Sequence, residues 1–172
     1  MKINNWTYST NNDNTARFTL GKIGNRMLFF IGINPSTATP ENLDRTVTRV
    51  ERFVADNGYH GWVMLNVYAQ RATDPNNMHT ELNINLHKQN IEHIKELVKT
   101  HANFEICAGW GTEINRRPYL KNCLKDIANT IGINKRWVHL HHLTKNNHPR
   151  HPLYLPANAI INDFDINNYI LK

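Results

Sequence analysis

Residues 27–31, Met-Leu-Phe-Phe-Ile, form an unbroken apolar run that halts at Gly32-Ile33-Asn34-Pro35. A short run without polar alternation, closed by Gly and Pro, predicts a strand buried on both faces, as in a parallel sheet. Similar runs recur at 61–68, 104–108 and 136–143. Between them, 41–57, 82–101 and 113–130 carry apolar residues at helical spacing: Val47, Val50, Phe53 and Val54, then Ile91, Ile94, Leu97 and Val98, then Leu120, Cys123, Leu124 and Ile127. Strands alternating with helices at this spacing imply right-handed crossovers. The fold class expected is α/β, a three-layer sandwich around a central four-stranded parallel sheet.

Upstream, 16–23 alternates well enough to be a further strand, and Gly24-Asn25 is a tight-turn signal leading into the central strand. Residues 1–15 are polar and Asn-rich and are expected to be loose, apart from Trp6 and Tyr8. Residues 145–156 form a basic, proline-broken loop, and the Asn- and Ile-rich tail is expected to add a short helix or an edge element. No repeat or linker divides the chain, so 1–172 is expected to be one domain.

Composition changes this picture little. The chain has 172 residues, 40% hydrophobic and 20% charged, as expected of a soluble globular protein. A formal net charge of +6, with ten further His, leans towards an anionic partner such as nucleic acid or an acidic protein. Two cysteines, Cys107 and Cys123, cannot build a disulfide framework or a four-thiolate cluster. No apolar run approaches the roughly 20 residues of a membrane span and no signal-peptide pattern opens the chain, so a cytoplasmic protein with no membrane partner is expected. A plain α/β nucleotide-binding protein has little support, since neither a Gly-x-Gly-x-x-Gly nor a phosphate-loop lysine is present, and no cofactor is expected.

The candidate chemistry lies at or just beyond the ends of the four strands: Asn34-Pro35, Leu65-Asn66, Trp110-Gly111 and His148-Pro149. Parallel strands bring such ends to one edge, where open α/β sheets bind ligands. Gly32 lets a ligand approach the backbone, and Pro35 stiffens the turn and holds Asn34 extended. Asn66, set in an apolar strand, must find partners or cost about 1–3 kcal/mol per unsatisfied group. Either a neighbouring loop satisfies it, or it recognises a planar amide or base edge. His139 and His141, at period two, could chelate a metal, but no Cys or acidic residue lies near to complete a set, and no metal site is expected. Asp44 is the nearest spare carboxylate to Asn34, and its ordinary role would be a surface pair with Arg45 or a lysine.

Taken in order, Gly32-Ile33-Asn34-Pro35, Val63-Met64-Leu65-Asn66, Cys107-Ala108-Gly109-Trp110-Gly111 and His148-Pro149-Arg150-His151-Pro152-Leu153 resemble the uracil-DNA glycosylase superfamily. The Asn-Pro form is similar to its mismatch-specific branch. The whole chain also resembles a family of small bacterial and phage proteins known only as a domain of unknown function, marked by Asn-Pro-Ser-Thr-Ala and His-Pro-Arg-His-Pro-Leu. The superfamily resemblance implies a glycosylase-like fold. It implies that Asn34 positions the attacking water and that Asn66, with Gly32, Ile33 and Pro35, binds a flipped base. It implies further that His148 bonds the departing base and that Leu153 or Tyr154 fills the vacated duplex. Lys145, Arg150 and His151 complete a basic loop able to touch DNA or a protein partner.

The departures matter as much. Asn34 cannot take a proton from water, so general-base help, typically ~10²–10⁴-fold, is missing. Ser36-Thr37 follow the proline where the fast branch has Tyr-His, and the His-Pro-Ser-Pro wedge becomes His-Pro-Arg-His-Pro. A pseudo-enzyme is therefore expected: a monomer with little or no uracil excision that retains a base pocket and a basic cleft. Its expected ligands are a pyrimidine base, DNA or an acidic DNA-mimic inhibitor of glycosylases. The alternative is an active glycosylase acting on uracil, mismatched thymine or a modified pyrimidine.

Overall fold

The computed structural model describes residues 5–172. Its backbone is one seven-stranded mixed sheet with four α-helices. The apolar runs form the centre. β3 (Met27–Gly32) is buried along its whole length and pairs in parallel with β4 (Gly61–Asn66) on one side and β5 (Phe104–Ala108) on the other. β6 (Trp137–Leu140) continues the parallel part beyond β5.

The expected parallel strands are thus present but make up only the middle of the sheet. β2 (Arg17–Lys22) adds antiparallel to β4 and β1 (Trp6–Thr10) adds to β2, while β7 (Ile161–Asp163) closes the other edge on β6. The turn at Gly24-Asn25 makes no hairpin with β3, because both flanks of β3 are already taken by parallel partners. Residues 6–10, expected to be loose, are ordered in β1, where Trp6 meets the edge of Trp62 at 6.0 Å between centroids. Residues 1–4 of the stretch expected to be loose lie outside the described residues.

Alternation along the central strands separates two cores. Leu28, Phe30, Trp62 and Met64 face α1 (Arg45–Asp56) through Val47, Val50 and Val54. Phe29, Ile31, Val63 and Leu65 face α2 (Ile84–Thr100), α3 (Leu120–Ile131) and α4 (Ile166–Ile170). α1 starts at Arg45 rather than at 41, because Asp44 caps it: the carboxylate Oδ1 accepts from Val47 N–H at 2.9 Å. α3 starts after Pro118, and the turn Gly111–Asn115 ahead of it is 3₁₀.

The chain leaves β3 for β4 on one side and then crosses to β5 on the other. The strand order therefore reverses between β3 and β5, and their carboxyl ends diverge into a crevice. Among the described residues no helix is long and apolar enough to cross a membrane.

Candidate functional site

A cleft of about 720 Å³ opens at this crevice. Gly32, Ile33, Asn34, Pro35, Asn66 and Trp110 line it from the strand ends. Arg150, His151, Leu153 and Tyr154 line it from the loop after β6, and Asp44 to Val47 from the amino end of α1.

Asn66 is 2% exposed. It shares the α1 side of the sheet with Trp62 and Met64, and Gly32 lies directly across from it in the β3–β4 register. A Cβ on Gly32 would stand 3.1 Å from Asn66 Oδ1, so the glycine makes the space that the amide occupies. The Asn66 backbone carbonyl accepts from Asn90 Nδ2 at 2.9 Å, but its side-chain Nδ2 is buried without a hydrogen-bond partner. No described group satisfies this amide, and no neighbouring loop supplies the partner expected of a structural asparagine.

Asn34 is the reverse case. Its Nδ2 donates to Ala72 O at 2.7 Å and to Pro35 O at 3.0 Å, pinning the β3 loop to the loop after β4. Surrounded by carbonyls, that atom must be the nitrogen, which leaves Oδ1 as an acceptor with no partner among the described residues.

His148 departs from its expected place. It is 8% exposed and lines a different cavity, of about 590 Å³, between β6, α3 and α4. Asn115 Nδ2 donates to its Nε2 at 2.9 Å, and its Nδ1 bonds Tyr169 Oη at 2.7 Å. Trp110 Nε1 donates to the same hydroxyl at 2.9 Å. Both imidazole nitrogens are therefore engaged, away from Asn34 and Asn66.

The imidazole that does reach the cleft is His151. Leu153 N–H donates to its Nδ1 at 3.2 Å, so the neutral ring carries its proton on Nε2, and Nε2 has no partner among the described residues. Gly111, at a φ of 65° that favours glycine, donates its N–H to Pro149 O at 2.9 Å, and this bond seats the loop.

The basic loop is only partly a cleft wall. Arg150 Nε donates to His142 O at 2.9 Å, Tyr154 is 74% exposed, and Lys145 is exposed and lines neither cavity. β6 ends at Leu140 and His141 takes a φ of 60°, so His139 and His141 do not present one strand face.

Two carboxylates border the cleft, and both are engaged. Asp44 caps α1 instead of pairing with Arg45, and Glu113 is held by Arg116 at 2.8 and 3.0 Å.

One lining residue, Arg17, is not anticipated from the motifs. In the β1–β2 ladder Ser9 pairs Thr19 and Thr10 pairs Arg17, so Phe18 is the extra residue of a bulge. Leu20 faces α1, whereas Phe18, two residues earlier, stacks on His93 of α2 at 4.3 Å. The bulge thus turns Arg17 to the α1 side, where Nη1 donates to Ala38 O at 3.1 Å. A cation between Ala16 and Phe18, both apolar, is the signal that could have found it.

Burial holds the imidazoles of His93, His139, His148 and His151 below the ordinary histidine value; Lys121 adds to this at His148, and Asp44 opposes it at His151. As pH falls through about 6.5 the unfolded chain takes up these protons before the native one does. Their contribution to stability is present above that pH and is lost as the folded values are approached from above. Urea midpoints should therefore fall between pH 7.5 and pH 5; a flat profile would mean that these rings are solvated.

No match to the chain is found among curated proteins or among solved structures, and nothing in these comparisons ties it to the uracil-DNA glycosylases. Residues 17–153 match the model of a family described as a protein of unknown function, DUF1643, and the chain belongs to that family.

Proposed function

We propose that the cleft is a nucleobase pocket of the uracil-DNA glycosylase type in a protein that excises little or no base. The observation that carries this reading is the unspent, 2%-exposed amide of Asn66 across from Gly32. An unsatisfied buried donor costs about 1–3 kcal/mol, and a ligand with a planar donor–acceptor edge, such as a pyrimidine, removes that cost.

Both carboxylates that line the cleft among the described residues already hold a structural bond, which supports a pseudo-enzyme. Glu113 is held in an ion pair, Asp44 caps α1 through Oδ1, and Asn34 offers water only an acceptor oxygen. A water held this way is oriented without being deprotonated. The exposed Tyr154 beside Arg150 and Leu153 gives the rim an apolar tip with cationic support. Such a rim suits an acidic DNA-mimic protein at least as well as duplex DNA.

One observation favours the active alternative. His151 Nε2–H is a neutral donor in the same cleft as Asn34 and Asn66, suited to stabilising negative charge on a departing base.

The test has two arms. Uracil and related pyrimidines titrated by NMR should bind weakly, shift resonances around Asn66, and lose binding in Asn66→Ala. A glycosylase panel of single- and double-stranded DNA carrying uracil, mismatched thymine or modified pyrimidines should release no base above the Asn34→Ala background. Release above it would establish the active enzyme; no shifts near Asn66 at millimolar base would remove the base pocket.

A further inference from the structure

The charge on Arg17 has no direct ion-pair partner among the described residues. The residue is 2% exposed and lines the cleft. Of its guanidinium only Nη1 is engaged, on the neutral carbonyl of Ala38, and Nε is buried with no partner. The carboxylate whose field reaches it is Asp44, already engaged as the cap of α1, and the neighbouring cation Arg71 opposes it. Each nitrogen of the Arg71 guanidinium has a partner of its own: Ser36 O, Tyr8 Oη at 2.8 Å and Asn14 Oδ1 at 3.2 Å. Burial, with Arg71 beside it, pulls Arg17 down to about 10, which still leaves it protonated at neutral pH.

A buried, protonated guanidinium bonded to one carbonyl is an expensive arrangement unless an anion completes it. The bulge at Phe18 turns this side chain to the same side of the sheet as Asn66 and Gly32. The amino end of α1, already capped by the Asp44 carboxylate, forms the adjoining wall, so the buried cation that a further anion meets there is Arg17.

We infer that Arg17 is the anion subsite of the cleft, so that its ligand is a nucleotide, a base joined to a phosphate, rather than a free base. This rests on the base-pocket reading for the base half and on Arg17 alone for the phosphate half. A guanidinium–phosphate contact is charge-assisted and can be bidentate. Two sources can supply the phosphate: the monoester of a free mononucleotide, or the diester of a single strand threading the cleft.

The experiment is a calorimetric and NMR titration of the full chain at low salt with deoxyuridine, deoxyuridine 5′-monophosphate, a single-stranded trinucleotide with a central uracil, and inorganic phosphate. The monophosphate should bind ~10- to 100-fold more tightly than the nucleoside, the range of a charged hydrogen bond. Arg17→Gln should erase that gain and leave nucleoside binding in place. Inorganic phosphate should shift Arg17 and the first turn of α1 without shifting Asn66, a readout on the wild type that stands even if Arg17→Gln folds poorly. Tighter binding of the trinucleotide than of the monophosphate identifies a strand as the source, and the reverse identifies a free nucleotide; either supports the subsite. If phosphate acts at Arg17 while no nucleoside binds, the base-pocket reading fails and the anion subsite stands. Equal affinity for nucleoside and monophosphate, or a gain that survives Arg17→Gln, overturns the inference.

Discussion

Replacing Asn66 by Leu should raise the thermal midpoint of the protein while eliminating base binding. Leu branches at the same atom as Asn and carries two methyl groups in place of the amide, so it fills the space across from Gly32 with atoms that need no hydrogen bond. The wild-type amide occupies that space with a buried Nδ2 that has no partner. Removing an unsatisfied buried donor should recover about 1–2 kcal/mol, which in a chain of this size moves the midpoint by roughly 2–8 °C. The backbone carbonyl of residue 66 keeps its bond from Asn90, so the packing of α2 on β4 is unaffected. Asn66→Ala should behave differently, destabilising the fold by leaving a void, so the two variants separate shape from polarity. Differential scanning calorimetry with a base titration on each variant checks the expectation. A lower midpoint for Asn66→Leu would mean that the amide is structurally satisfied in solution, and Asn66 would then cease to be a recognition group.

Most of the sheet's centre was readable because burial on both faces leaves a mark that periodicity detects. Met27 to Ile31 and Val63 to Leu65 contain no polar residue, and Asn66 stood out against that background. The edges were less readable. β1 reads Trp-Thr-Tyr-Ser-Thr and β7 reads Ile-Asn-Asp, and both are held by ladder bonds to a neighbour rather than by an apolar pattern of their own. Arg17 escaped for a different reason. Its direction depends on a one-residue bulge at Phe18, and strict alternation would have placed it on the opposite side of the sheet. The helix ends moved for local chemical reasons: Asp44 caps α1, and Pro118 delays α3.

The two histidines of His148-Pro149-Arg150-His151 show where motif spacing stops being informative, because three residues of loop can carry a side chain to either cavity. Tyr169→Phe is the substitution that separates them. It removes the hydroxyl that accepts from Trp110 Nε1 at 2.9 Å and bonds His148 Nδ1 at 2.7 Å, leaving two buried groups without partners. Each loss is of order 1–3 kcal/mol and the two share one atom, so their sum is not additive. A destabilisation of about 2 kcal/mol is expected, seen as a fall of roughly 4–8 °C in the midpoint. Ligand affinity at the cleft should be unchanged, because His148 lines the other cavity. His151→Gln should show the opposite split. Its one side-chain bond among the described residues is from Leu153 N–H, a cap typically worth about 1 kcal/mol, while the Nε2–H it offers to a ligand is lost. Nucleotide affinity should therefore fall severalfold with little change in midpoint. If Tyr169→Phe instead weakened nucleotide binding at an unchanged midpoint, His148 would have to reach the ligand through some rearrangement of the loop. The cleft would then have to be redrawn around both histidines.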